Sequence, residues 1–510
     1  MNDRLNDTTA AAMAHIDTQA LATHTAGSWR EHIVPALRRY IEVPAKSPMF
    51  APDWVAQGHL HRVVQSAAEW VQAQRVAGLT IEILQLKTHT GQARTPVLFF
   101  EVPASAGTDA DRSPAACSGQ TVLMYGHLDK QPEFSGWRSG LGPWTPVIDA
   151  DRLYGRGGAD DGYAVYAAIA SIQALQAQGV AHPRIVGLIE TCEESGSADL
   201  LPTIDVLRAP GNNRLGDVGL VICLDSGAGN YDQLWLTTSL RGMASGVLKV
   251  EVLTEGVHSG DASGVVPSSF RIMRQVLDRL EDSATGRLLP ERFHCEVPPE
   301  RLAQAHATAA ILGDTIVQRF PWAHADCGGS SAFVLPTTAD PVQALLNRTW
   351  RPTLSVTGAE GLPSLQDAGN VLRPYTAFKL SLRLPPLVDA ALAVQSLKAL
   401  LEDNAPYQAK VTFESGSSAT GWNAPDTAPW FHQALQAASL AQFGVGYGTI
   451  GQGGTIPLMN LLSQGFPRAQ MMVCGVLGPQ SNAHGPNEFL HLPYAQRLTA
   501  AVAQVVAAMP

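Results

Sequence analysis

Short apolar runs alternate with helical periodicity through the first half of the chain. TIEILQL (80–86), PVLFFEV (96–102), TVLMYGH (121–127), RIVGLIET (184–191) and GLVICLD (219–225) are apolar and rich in β-branched residues. Each reads as a strand. Helical stretches lie around them: WREHIVPALRRYIEV within residues 1–45, HLHRVVQSAAEWVQAQRVAG from His59, and the Ala-rich YAVYAAIASIQALQAQ from Tyr163. The last is apolar all round and predicts a buried helix. Strands interleaved with helices point to α/β architecture with a mostly parallel, doubly wound sheet.

The pattern changes near residue 240. GMASGVLKVEVLTEG (242–256) and AKVTFES (409–415) alternate with period two, as half-exposed antiparallel strands do. AFKLSLRLPP (377–386) reads as a further strand of the same region. PSSFRIMRQVLDRLED and DAALAVQSLKALLEDN supply helices between them. A separate α+β domain over 241–417 follows, inserted into a first domain made of 1–240 and 418–510. The first domain resumes with WFHQALQAASLAQFG, AQMMVCGVLG and a helix from Pro493. The stretch 104–119, ASAGTDADRSPAACSG, reads as a solvated hairpin loop.

Composition narrows the partners. At 510 residues, two domains are the natural expectation, and 45% hydrophobic with 16% charged residues describes a folded chain. A formal charge of −10, without any Lys/Arg-rich run, argues against nucleic acid as a partner. The N-terminus has no basic stretch leading into an apolar one, and no apolar run reaches the roughly 20 residues that cross a bilayer. The six cysteines (117, 192, 223, 295, 327 and 474) are scattered, with no CxxC pair, and most have apolar neighbours. They read as reduced core residues. A cytoplasmic protein with no membrane partner is expected.

Candidate chemistry sits where the apolar runs end: YGHLD (125–129), GRGGADD (155–161), ETCEESGS (190–197), Asp225 in VICLDSG, and SNAHGPNE (481–488). Two histidines among several carboxylates suit two zinc-like ions that share a carboxylate. Alone, each string has a plain reading as a helix cap or a charged strand end. Five strings at successive strand exits are a different matter, because ligands of open α/β sheets gather at that edge. Residues two apart on an extended segment point the same way, so Asp129 can bond one nitrogen of His127 while the other binds metal. Glu193 and Glu194 diverge, so one can take a metal while its neighbour faces a water as general base. GRGGADD is neither a phosphate-binding Walker loop nor a dinucleotide fingerprint.

With HLD, LYGRGGADDG, EESGS, LDSG, VHSGDASG, GGTIP and NAHGPNE in place, the chain resembles the co-catalytic zinc peptidases. That family includes carnosine dipeptidase, cytosolic non-specific dipeptidase, aminoacylase and acetylornithine deacetylase. The dipeptidase-like branch is the nearest, and the resemblance runs from about residue 30 onward. It implies a phosphorylase/hydrolase-like metallopeptidase domain with an inserted ferredoxin-like lid, used for homodimerisation. It also implies two divalent ions per subunit, zinc first, with manganese or cobalt as substitutes.

The resemblance further implies roles for single residues. Asp160 bridges the ions, His127 and Asp225 complete one site, and Glu194 and His484 the other. Glu193 is the general base and Asp129 orients His127. His258 polarises the scissile carbonyl, and comes from the neighbouring subunit in dimeric relatives. Arg373 is a candidate clamp for a substrate carboxylate, because guanidinium grips carboxylates bidentately. Asn370, Gln452 and Thr455 are further candidates for the substrate pocket. Two positions depart from the family pattern. Gly162-Tyr163 stands where many relatives have Lys-Gly, and Gln452 precedes GGTIP where dipeptidase-like members often have an acid.

The expected activity is hydrolysis of a dipeptide or small peptide. An N-acyl amino acid deacylase is the alternative within enzymes. A non-catalytic homologue is disfavoured by the intact ligand and base positions.

Overall fold

The computed structural model describes residues 16–105, 119–327, 330–454 and 457–510. The expected hairpin loop at 104–119 lies almost wholly outside the described residues, as do Cys117 and Thr455. The chain divides into two compact units, Met1–Thr237 with Ala424–Ile450 and Leu461–Pro510, and Thr238–Asn423 with Gly451–Asn460.

The first unit is built on a six-stranded sheet. Its order is Thr80–Leu84, Val97–Val102, Arg184–Glu190, Gln120–His127, Asp217–Cys223, Gln470–Val473. The last four strands are parallel to one another. Val97–Val102 runs antiparallel to both of its own. Because the sheet is mostly parallel, its central strands are buried along nearly their whole length, hence their unbroken apolar runs. The parallel strands end on one common edge.

The helix Ala164–Ala177 packs against Gln120–His127 and Arg184–Glu190, and eleven of its fourteen residues are buried. Leu492–Ala507 lies against it and against Thr18–Ser28 and Pro429–Phe443. The Trp29 indole donates to the Thr499 hydroxyl at 2.9 Å inside this layer. Among the described cysteines, Cys192, Cys223 and Cys474 are free and buried, and Cys295 is free and half-buried.

The second unit carries a four-stranded antiparallel sheet, ordered Thr353–Glu360, Tyr375–Leu384, Gly242–Glu251, Lys410–Ala419. With helices Ser269–Leu277 and Ala390–Glu402 it forms a β-α-β-β-α-β unit in strand order 2-3-1-4, the ferredoxin-like arrangement. Gly242–Glu251 alternates strictly between core-facing and outer positions, which is why its sequence alternates. Leu248, Ile272, Val276, Leu382, Leu397 and Phe413 share the core beneath it. Ser268 and Asp389 cap the two helices through the amides of Arg271 and Leu392. No helix among the described residues is long and apolar enough to cross a membrane.

Candidate metal centre

Sheet topology delivers the first unit's candidate residues to one place. His127 is the last residue of its strand and pairs in register with Glu190. Three residues beyond Glu190, a single turn of 3-10 helix carries Glu193 and Glu194. Asp225 stands two residues past Asp217–Cys223, and His484 lies in the loop that follows Gln470–Val473. Asp160 comes from outside the sheet, in the turn Gly158–Gly162 that leads into Ala164–Ala177.

Two donor sets result, and they share Asp160. His127 Nε2 is 3.4 Å from Asp160 Oδ1 and 3.8 Å from Asp225 Oδ2. His484 Nε2 is 3.0 Å from Asp160 Oδ2 and 3.3 Å from Glu194 Oε2. A tetrahedral ion with ligands at about 2.0–2.1 Å holds them about 3.3 Å apart. Each set therefore has the spacing such an ion needs, and its donor atoms all lie within 4.8 Å of one another.

The imidazole of His127 is wedged. Its Nδ1 faces the Asp129 carbonyl at 3.1 Å and the Asp129 carboxylate at 3.5 Å. With the ring proton drawn there, Nε2 is left as a buried atom with no hydrogen-bond partner, aimed at Asp160 and Asp225. Asp129 also accepts from the amides of Glu193 at 3.1 Å and Glu194 at 3.0 Å. One buried carboxylate thus positions the histidine of one set and the turn that feeds the other.

Charge crowding gives the centre its electrostatics. Burial, with the Asp160 charge next in importance, pushes Glu194 up to about 8 and Asp225 up to about 6. Burial and then Asp225 drive Glu193 well above the usual carboxylate range. Burial also opposes ionisation of Asp160, but His127 and His484 outweigh it and hold that carboxyl far below its ordinary value. His484 is raised to about 9, since Glu194 and Asp160 overcome the burial that lowers it. Buried acids packed this densely must either take up protons or accept cations. The orphaned Nε2 of His127 and the mixed N/O donors fit a divalent cation.

The departure at Gly162-Tyr163 has a packing explanation. A Cβ on Gly162 would stand 2.2 Å from Cε1 of Tyr40 and 2.7 Å from the Gly157 carbonyl, so no side chain fits. Tyr163 is fully buried and donates its hydroxyl to the Leu224 carbonyl at 2.5 Å, beside Asp225. A lysine is nevertheless buried against Tyr40. Lys130 Nζ lies 3.9 Å over that ring and donates to the carbonyls of Tyr40 at 2.7 Å and Val43 at 2.8 Å.

The remaining candidates belong to the second unit. His258 is exposed, and its Nδ1 accepts from the Gly260 amide at 3.1 Å, which leaves Nε2 free of that bond. The short strand Val257–His258 pairs with Val371–Leu372, and the Ser259 amide donates to the Asn370 carbonyl, so His258 and Asn370 are neighbours. Arg373 uses Nε on the Gly361 carbonyl at 2.8 Å. Gln452 ends the strand Gly448–Gln452, its carbonyl accepting from the Arg241 amide.

Sequence reasoning passed over several groups. Gln131 donates to Glu194 Oε2 at 2.6 Å. Arg156 and Glu488 form a buried ion pair at 2.5 Å. Arg348 holds its Nε and Nη2 buried with no hydrogen-bond partner. Arg156 and Glu488 lie inside GRGGADD and SNAHGPNE, so the motifs pointed to them; Arg348 in NRTWRP carried no signal beyond a helix end.

The model of peptidase family M20/M25/M40 matches residues 123–508. The cysteinylglycine-S-conjugate dipeptidase of Corynebacterium striatum is 28% identical over 395 residues, 74% of this chain and 79% of that protein. The human Beta-Ala-His dipeptidase is 25% identical over 446 residues, 85% of this chain and 82% of its own. Among solved structures, human carnosine dipeptidase 1 has the same fold, with a TM-score of 0.76 at 20% identity, covering 97% of this chain and 99% of its own. Di-peptidase Dug1p of Saccharomyces cerevisiae has a TM-score of 0.74 at 22% identity, covering 97% and 98%.

Proposed function

The chain belongs to peptidase family M20/M25/M40, and we propose that it is a metal-dependent hydrolase of the amide bond in dipeptides or small peptides. One observation carries this reading: two donor sets of tetrahedral spacing that share Asp160. The relatives named as dipeptidases support the substrate class.

Asp160 would be the shared ligand, with His127 and Asp225 on one side and Glu194 and His484 on the other. Zinc suits these donors best, and manganese or cobalt can replace it. Such ions, when bound, polarise an amide carbonyl and acidify water. Asp129 holds the tautomer and angle of His127. Glu193 takes a proton from the attacking water and returns it to the leaving amine, and a carboxyl raised by burial suits both transfers. His258, through its unengaged Nε2, is assigned to the developing oxyanion.

Arg373 is assigned to a substrate carboxylate, its Nε bond to the Gly361 carbonyl holding the guanidinium in place, and Arg348, with two buried nitrogens that have no hydrogen-bond partner, is the second candidate. Asn370, Gln452 and Thr455 remain assigned to substrate contacts. A cytoplasmic homodimer formed through the second unit completes the proposal.

The test is parallel hydrolysis of Cys-Gly, β-Ala-His and N-acetyl amino acids, with metal content measured on the same samples. Glu193→Gln is expected to lower kcat by ~10²–10⁴-fold at unchanged metal content, the usual contribution of a general base. Turnover confined to N-acyl amino acids, or wild-type kcat in Glu193→Gln, would overturn the assignment.

A further inference from the structure

His484 is presented by a strained loop. Gln480, Asn482, His484 and Asn487 all have left-handed φ, at 64°, 55°, 64° and 63°. That region strains an ordinary residue, and asparagine and histidine tolerate it better than most. Such a backbone persists only where its surroundings over-determine it.

One side chain does much of this. The Arg156 guanidinium, 1% exposed, donates through Nη2 to the carbonyls of His484 at 3.1 Å and Gly485 at 2.8 Å. Its Nε reaches the Pro132 carbonyl at 3.2 Å, and its Nη1 pairs with Glu488 Oε2 at 2.5 Å. Glu488 is fully buried; its other carboxylate oxygen accepts from the Gly157 amide at 2.9 Å, and its carbonyl from the Gly155 amide at 3.1 Å. The pair therefore joins the loop of His484 to the segment that leads into the Asp160 turn.

Stability alone does not account for it. Desolvation offsets most of the attraction in a buried ion pair, and apolar replacements are often neutral or better. What an apolar pair lacks is direction. Here the directed bonds end on the carbonyl of the left-handed histidine itself. His127 owes nothing to this pair, since strand pairing and Asp129 locate it.

We propose that Arg156, neutralised by Glu488, is a positioning residue for one metal site only. It sets the His484 backbone so that the Asp160–Glu194–His484 set closes, and leaves the His127–Asp160–Asp225 set unaffected. This rests on the metal-centre reading above.

The experiment is calorimetric titration of the metal-stripped full chain with zinc. Wild type is expected to bind two ions. Arg156→Lys keeps the charge but not the forked reach, and should weaken one ion by ~10–100-fold, the usual cost of losing a partner that orients a ligand. The other should stay within about threefold. His484→Ala should weaken the same ion, and adding Arg156→Lys to it should change nothing further. Glu488→Gln, close in shape, repeats the test should Arg156→Lys fail to fold. A wild type that binds no zinc overturns the metal reading itself. A wild type that binds two, with Arg156→Lys weakening both ions equally or neither, overturns this inference alone.

Discussion

Asp129→Asn separates the two jobs of one carboxylate. The side chain is fully buried, and its oxygens accept from Glu193 N at 3.1 Å and Glu194 N at 3.0 Å, with His127 Nδ1 at 3.5 Å. The substitution keeps the shape and replaces one oxygen with an NH₂ group. Whichever way the amide turns, a donor then faces a backbone donor. The loss is one charge-assisted hydrogen bond, about 1.5–3 kcal/mol. If the Glu193–Glu194 turn relaxes by that amount in the transition state, kcat/KM falls by ~10–150-fold. Zinc affinity at the His127 set falls as well, by ~10–100-fold, because its ring has lost a charged partner. Kinetics at limiting and saturating zinc tell the two effects apart, since excess metal restores occupancy but not the turn. Recovery of wild-type kcat/KM at saturating zinc would show that the two amide bonds carry no catalytic weight. Wild-type behaviour at both zinc levels would refute the whole argument.

Two further outcomes follow from groups outside the two donor sets. Glu190 is buried and accepts from Tyr125 and Ser197 at 2.6 and 2.9 Å, and burial raises it to about 7 from an ordinary 4.5. The folded chain thus keeps a proton that the unfolded chain gives up, so this group's contribution falls as pH climbs from about 4.5 to 7 and then levels off. Urea melts should show Glu190→Gln gaining about 3 kcal/mol on wild type across that window; a constant difference would count against it. Arg373→Ala should raise KM about 10–100-fold for a dipeptide with a free carboxylate, as loss of charged hydrogen bonds implies, and leave its C-terminal amide unaffected. If Arg348→Ala does this instead, Arg348 is the clamp.

The architecture was legible wherever burial leaves a one-dimensional trace. Strands covered on both faces appear as unbroken apolar runs, and Gly242–Glu251 alternates because only one face meets a core. Direction leaves no such trace. PVLFFEV reads the same way up or down, so the reversal of Val97–Val102 emerges only from its register with Arg184–Glu190. At the centre, strand exits marked the acids and histidines except Asp160, which the turn Gly158–Gly162 supplies from outside the sheet. What the sequence could not display is pairing across distance: Arg156 and Glu488 are 332 residues apart, and nothing near either names the other. The same holds for Gly162, whose missing side chain makes sense only beside the Tyr40 ring.

The order in which the ligands leave the ribosome gives the two donor sets different histories. His127, Asp160 and Asp225 lie within about a hundred residues of one another, whereas His484 comes roughly 260 residues after Asp225, beyond the whole second unit. At ~5–20 residues per second, that interval is on the order of ten seconds to a minute. During it, the growing chain already holds one complete set of donors while the other is still short of its histidine. Under the proposed assignment, chain order alone completes one donor set first, and the second waits for the Arg156-anchored loop.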